Sequence, residues 1–153
     1  MSAAPSSPEH ILCDTNVVSA LEASITQQDR IAHWPVEARS RLNAAILAVA
    51  IFVVAEVRSG RIEANWSDER IARAEATLDA YLFVPLDQAT VDEYVRLRAR
   101  WRREMSDNDL WIAATAIARG WPLASSDLAF CKLTDDLELI YIPARPDSPA
   151  SCP

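Results

Sequence analysis

Cysteine, histidine, lysine and glycine are all scarce in this chain, and each scarcity narrows what it can be. The three cysteines, Cys13, Cys131 and Cys152, are odd in number and form no C-x-x-C. That pattern argues against a disulfide framework and against a thiolate zinc site, and a reducing cytosol is the simplest setting. Histidine is limited to His10 and His33, neither in a metal-ligand pattern. Long apolar runs are missing too. The longest, residues 44–55, is too short to span a bilayer. The start, MSAAPSSPEH, lacks the basic and apolar regions of a secretion signal. A soluble, cytoplasmic protein without membrane attachment is the expectation. Positive charge is short overall: the net charge is −7, so the chain does not coat nucleic acid by charge alone. A nucleic-acid substrate stays open, because bound metal ions supply positive charge locally. Lys132 is the one lysine against fourteen arginines, a bias that reflects genome composition before function.

What is present suits one domain. The chain has 153 residues, half of them hydrophobic, enough for a proper core and too many for global disorder. Residues 1–8 and 144–153 are rich in Pro, Ser and Ala and read as flexible tails around a single domain at 9–143. Strand candidates lie at 9–13, 44–49, 81–85, 122–125 and 138–142. Helical periodicity covers 15–23, 28–42, 51–60, 68–80, 88–104 and 107–119. Gly60 and Gly120 each stand where a helical pattern closes. The alternation predicts an α/β fold, a central parallel sheet covered by helices on both faces, with the site at the carboxyl ends of the strands.

Carboxylates recur at those strand ends. In ILCDTN, Asp14 ends the first apolar run beside Thr15 and Asn16; Glu56 follows twelve consecutive apolar residues; Asp109 opens the helix of SDNDLWIAATAIARG; Asp127 ends PLASSD. Each has an ordinary explanation. Asp14 and Asp127 suit helix caps or turns. Glu56 suits a helix-edge ion pair with Arg58 or Arg61. Ser106 with Asp109 fits a capping box, and Asp107 is a rival cap. Together they are harder to dismiss. Gathered carboxylates repel one another and raise each other's pKa values. A hard divalent cation, Mg²⁺ or Mn²⁺, relieves that repulsion with oxygen ligands alone, and such ions drive phosphodiester hydrolysis.

The stretches ILCDTNVVSAL, VVAEVRSG, DNDLWIAATAIARGWPLASSD and LAF, in this order over roughly residues 11–142, resemble the PIN-domain family, and within it the VapC-type toxins of bacterial toxin–antitoxin pairs. The resemblance implies a three-layer α/β/α PIN-like fold. It implies an acidic site of Asp14, Glu56, Asp109 and Asp127 that hydrolyses RNA, with Asp14, Asp109 and Asp127 as metal ligands for Mg²⁺ or Mn²⁺. Asn16, Thr15 and Ser125 match orienting positions. A homodimer and a cognate antitoxin protein are the implied partners. Two departures stand out. Where the family often carries Ser and Thr, six and three residues before the Glu, this chain has Ala50 and Val53. Residues 24–43 are longer and more charged than expected, with Pro35 inside them.

Two surfaces are candidates for contacts. Arg96, Arg100 and Arg103 share a helical face near Trp101 and could track RNA phosphates; ordinary i,i+4 pairs, Asp92 with Arg96 and Arg100 with Glu104, are the plainer reading. Ile31, Trp34, Ala38 and Leu42 form a stripe that suits antitoxin binding or simply core. Three rival functions remain open: a non-catalytic PIN-like binding module, a Mg²⁺-dependent phosphotransferase phosphorylated on Asp14, and a structure-specific DNA nuclease. The second wants D-x-D where Asn16 stands, and a well-placed lysine where there is only Lys132.

Overall fold

The apolar runs become five short parallel strands. In the computed structural model, which describes residues 6–153, they are β1 (His10–Cys13), β2 (Ile46–Ala50), β3 (Leu82–Val84), β4 (Leu123–Ser125) and β5 (Leu139–Tyr141). The expected N-terminal tail lies in part outside the described residues. The sheet order is β3-β2-β1-β4-β5, and every pairing is parallel. The chain builds outward from β1 to β3 and then returns to lay β4 on the other side of β1. The direction of winding therefore reverses between β1 and β4, and the carboxyl ends of such a pair border a crevice. β1 is sealed into the core, with Ile11, Leu12 and Cys13 all at 0% exposure.

Six α-helices and two 3₁₀ helices cover both faces of the sheet in the expected three-layer arrangement. They are α1 (Thr15–Ser24), α2 (Val36–Ala44), α3 (Ile51–Glu63), α4 (Asp68–Leu78), α5 (Gln88–Trp101) and α6 (Asp107–Arg119), with 3₁₀ turns at Gln28–Ile31 and Leu128–Leu133. Side-chain caps start four of the α-helices. Asp14, Ser67, Asp87 and Ser106 each accept a hydrogen bond from a first-turn N–H, a device worth about 1 kcal/mol apiece. α6 buries Leu110 and every residue from Ile112 to Ala116, and each large side chain removed from water contributes roughly 1.5–3 kcal/mol. Gly120 closes it in the left-handed region at φ 66°, where a Cβ would be strained.

Three expectations need correction. The helix predicted over 28–42 is two elements, because Pro35 lacks an N–H and keeps the residue before it out of helical conformation. Gly60 does not end α3. The helix continues to Glu63, its last turn anchored by buried Val57 and Arg61, and the chain turns instead at Asn65 (φ 54°), a residue that also tolerates the left-handed region. Finally, Cys131 and Cys152 are joined in a disulfide. Counting cysteines could not reveal it: Cys13 is walled off inside β1, which leaves an even pair whose Cα atoms lie 5.7 Å apart. Among the described residues no helix is long and apolar enough to cross a membrane.

Candidate active site

Asp14 is the first residue after β1, and its backbone N–H still reaches across to Ala124 O of β4 at 2.9 Å. Its carboxylate is 5% exposed and fully engaged. Oδ1 accepts from the Thr15 N–H at 2.8 Å, which caps α1. Oδ2 accepts from the Ser125 hydroxyl at 2.7 Å and from Asn16 Nδ2 at 3.3 Å. Asn16 uses its other end, Oδ1, to accept the Ser126 N–H at 3.1 Å, so one amide pins Asp14 to the end of β4. Ser125 is completely buried, and its oxygen also accepts the Asp127 N–H at 3.0 Å. All of this lies at the winding reversal between β1 and β4.

The other acidic residues arrive from three further elements. Asp127 caps the 3₁₀ turn that follows β4, accepting the Ala129 N–H at 2.8 Å. Asp109 stands in the first turn of α6, and its N–H donates to Ser106 Oγ at 3.1 Å. The rival cap, Asp107, faces away and is held by the Tyr94 hydroxyl and Arg98. Glu56 lies on an exposed face of α3, where the Thr15 hydroxyl donates to its Oε2. The alternative pairings of Glu56 are not made: Arg58 binds Glu75, and Arg61 binds both Glu22 and Glu75. Capping and site placement thus coincide. That holds for Asp14 and Asp127, whose carboxylates cap the elements that follow β1 and β4. Ala50, where a Ser was expected, is the N-cap residue of α3 and offers no cap bond, while Val53 is core. The missing hydroxyls weaken a helix start and leave Glu56 supported by Thr15.

Electrostatics tie these groups together. Burial pushes Asp14 up to about 6; the Ser125 and Thr15 hydrogen bonds pull against it, and the charges of Asp109 and Glu56 add to the rise. Asp109 is also raised, first by burial, and further by the charges of Asp127 and Glu56. Asp14 and Asp109 therefore each feel neighbouring acids. Among the described residues no three His, Cys, Asp or Glu side chains are drawn together as a ready-made cation cage. The donor set is oxygen only and partly buried, which fits a hard, hydrated divalent ion that takes carboxylate and water oxygens. It does not fit zinc, which favours nitrogen and sulfur. Cys13 lies beneath Asp14, and burial pushes its thiol up to about 12, so it is inert.

The lesser candidates separate. Arg96 is held by Glu93 and Asp136, Arg100 lies over the Trp101 ring at 4.8 Å, and Arg103 is exposed beyond the end of α5. Neither expected i,i+4 pair forms: Asp92 takes Gln88, and Glu104 takes Lys132. Trp34, Ala38 and Leu42 are core, with Ile31 half-buried. Ile31, Trp34 and Leu42 nonetheless floor a groove of about 930 Å³, rimmed by exposed Ile25 and Val36. Sequence reasoning missed a second hollow, of about 590 Å³, that begins at Thr15 and Glu56 and ends at Trp66 and Arg70. The one signal for it was the four-residue spacing of that Trp and Arg.

The family model of the PIN domain matches residues 11–136, and the chain belongs to the PIN domain family. Within that family its likeness is to VapC proteins. It is 28% identical over 136 residues to Ribonuclease VapC4 of Mycobacterium tuberculosis, covering 86% of this chain and 95% of that one. It is 33% identical over 93 residues to Ribonuclease VapC5 of the same organism, covering 57% and 68%. Among solved structures, VapBC-5 from Mycobacterium tuberculosis, a member of the VapBC family of toxin-antitoxin systems, superposes with a TM-score of 0.59 at 25% identity over 88% of this chain and 99% of that one.

Proposed function

We propose that this protein is a metal-dependent endoribonuclease, the toxin of a toxin–antitoxin pair, working in the cytoplasm where cellular RNA is, a setting for which the Cys131–Cys152 disulfide withdraws the support of the cysteine count. The observation that carries the reading is the placement of Asp14: a buried carboxylate fixed at the winding reversal, raised toward neutrality by burial and by neighbouring acids. Relatives named as ribonucleases and a solved toxin–antitoxin structure support it. Asp14, Asp109 and Asp127 would hold Mg²⁺ or Mn²⁺, with Glu56 beside them. When bound, the ion supplies a polarised water as nucleophile and offsets charge on the departing oxygen.

The chain's own groups set the geometry. Ser125 and Asn16 hold the Asp14 carboxylate by hydrogen bonds to one oxygen, and the Thr15 hydroxyl donates to Glu56. A bound cation would favour the ionised forms of Asp14 and Asp109 against the burial that raises them. Lys132 is occupied by Glu104 at 3.5 Å, which removes support from the phosphotransferase reading. The groove over Ile31, Trp34 and Leu42, with exposed apolar Ile25 and Val36 at its rim, is the proposed antitoxin seat. A homodimer is part of the same reading and rests on the family resemblance.

Inducible expression in a bacterium, with new RNA 5′ ends mapped across total RNA beside Asp14→Asn, tests the function. Discrete new ends and growth arrest, both absent in the variant, are the expected result. Folded, expressed protein with no new ends would move the reading to the non-catalytic module.

A further inference from the structure

A second cavity adjoins the acidic site at Thr15 and Glu56, and arginines outnumber acids in its lining, Arg30, Arg61, Arg70 and Arg73 against Glu22 and Glu56. It holds about 590 Å³, within the range of ordinary ligand sites. Thr15 and Glu56 line one end, Trp66, Arg70 and Arg73 the other, and Arg30 reaches in from the 3₁₀ turn after α1. In a chain of net charge −7 this concentration of arginine is local and directional.

The arginines differ in how far they are committed. Arg61, beneath the cavity, is neutralised by Glu22 and Glu75 and serves to brace α1, α3 and α4. Arg73 pairs with Glu69, but both side chains are at least 70% exposed, so that pair is weak. Arg30 and Arg70 have no carboxylate partner among the described residues. The Arg70 guanidinium lies 3.6 Å from the Trp66 ring centroid, a planar cation stacked on an indole. Trp66 is held by the turn at Asn65, where its N–H donates to Arg61 O at 3.1 Å. A preset aromatic–guanidinium stack beside uncommitted cations matches how single-stranded RNA is held: bases on flat π or guanidinium faces, phosphates on arginine.

We infer that this hollow is a nucleotide subsite for the single-stranded RNA next to the scissile bond, with Trp66 and Arg70 as its stacking pair and Arg30 as a phosphate contact. The inference rests on the ribonuclease reading and adds where the strand runs. Continuity with Glu56 favours RNA over a protein occupant, because a strand cut at the acidic site must leave along an adjoining surface. The α5 ridge serves less well, since Arg96 is already neutralised.

The test uses the full chain carrying Asp14→Asn, free of divalent metal, with a short fluorescein-labelled single-stranded RNA read by anisotropy across salt concentrations. In that background Trp66→Ala should weaken binding about tenfold or more, and Trp66→Phe should restore most of it. Arg70→Glu, on an exposed helix position that tolerates change, should weaken binding comparably and flatten its salt dependence. If both leave affinity within about twofold while Arg100→Ala or Arg103→Ala lowers it, the inference falls and the nuclease reading stands. If the protein binds no RNA and the unsubstituted chain makes no cuts, both fall. If an oligoglutamate peptide binds, and Arg70→Glu abolishes that binding while sparing RNA, the cavity belongs to a protein partner and the inference is overturned.

Discussion

The Ser125 hydroxyl donates to Asp14 Oδ2 at 2.7 Å, joining two residues 111 positions apart in the chain. The same oxygen accepts the Asp127 N–H. One small buried side chain therefore sets the orientation of one acidic residue and the backbone leading to another.

Replacing Ser125 by Ala removes both bonds at once. It leaves a buried carboxylate oxygen and an amide N–H short of partners, at a cost of about 1–3 kcal/mol. Urea denaturation should show that loss, and RNA cleavage should fall with it. Unchanged stability and unchanged cleavage would mean that the hydroxyl orients nothing.

Asn16→Asp keeps the acceptor for the Ser126 N–H but loses the donor to Asp14 and sets a second negative charge beside it. Cleavage should drop by well over tenfold while the fold persists. Isothermal titration with Mn²⁺ should show altered metal affinity. A variant as active as the parent would remove Asn16 from any orienting role.

Asp14 makes stability depend on pH in the metal-free protein. Its folded pKa, about 6, lies above its ordinary value of 3.8, so the folded state holds the proton more tightly. Its contribution is fully present below pH 3.8 and is lost as pH rises through 6, by about 3 kcal/mol at most. After EDTA treatment, melting temperature should fall over that window; Mg²⁺ or Mn²⁺ should restore part of it at neutral pH. Asp14→Asn should remove Asp14's share of the slope, leaving that of Asp109, and should abolish the metal response together with cleavage. A slope unchanged by the substitution would belong to other groups.

The Cys131–Cys152 bond closes a loop with a sequence separation of 21. Opening such a loop costs about 3 kcal/mol in the unfolded-chain account. Cys152→Ser should therefore lower the melting temperature by several degrees, and a reductant should lower the parent to match. If the parent ignores the reductant, the two thiols are not joined in solution.

Much of the fold was legible because parallel sheets write buried strands as short apolar runs. ILC and PLAS announce β1 and β4 at once. The carboxylates were legible for a related reason, since an acid at the end of such a run must either cap or coordinate, and Asp14 does the first in a place that permits the second. What stayed hidden depended on long-range geometry. Nothing local says that α3 runs through Gly60, because the buried faces of Val57 and Arg61 decide it. Nothing in a cysteine count says that one thiol is sealed inside β1. The Trp66–Arg70 stack drew no reading from the sequence, because only the fold brings it into one hollow with Glu56.

The reversal of winding at β1 has a temporal side. Ser125 is synthesised 111 residues after Asp14, and Asp127 follows it. β4 cannot seat beside β1 until that stretch is free, and domains complete their packing as synthesis ends. A nascent or truncated chain that stops before Leu123 lacks the Ser125 donor to Asp14 Oδ2 and has no Asp127. On the ribonuclease reading proposed above, the strand order keeps the acidic site incomplete on the ribosome until β4 and the turn after it have been made.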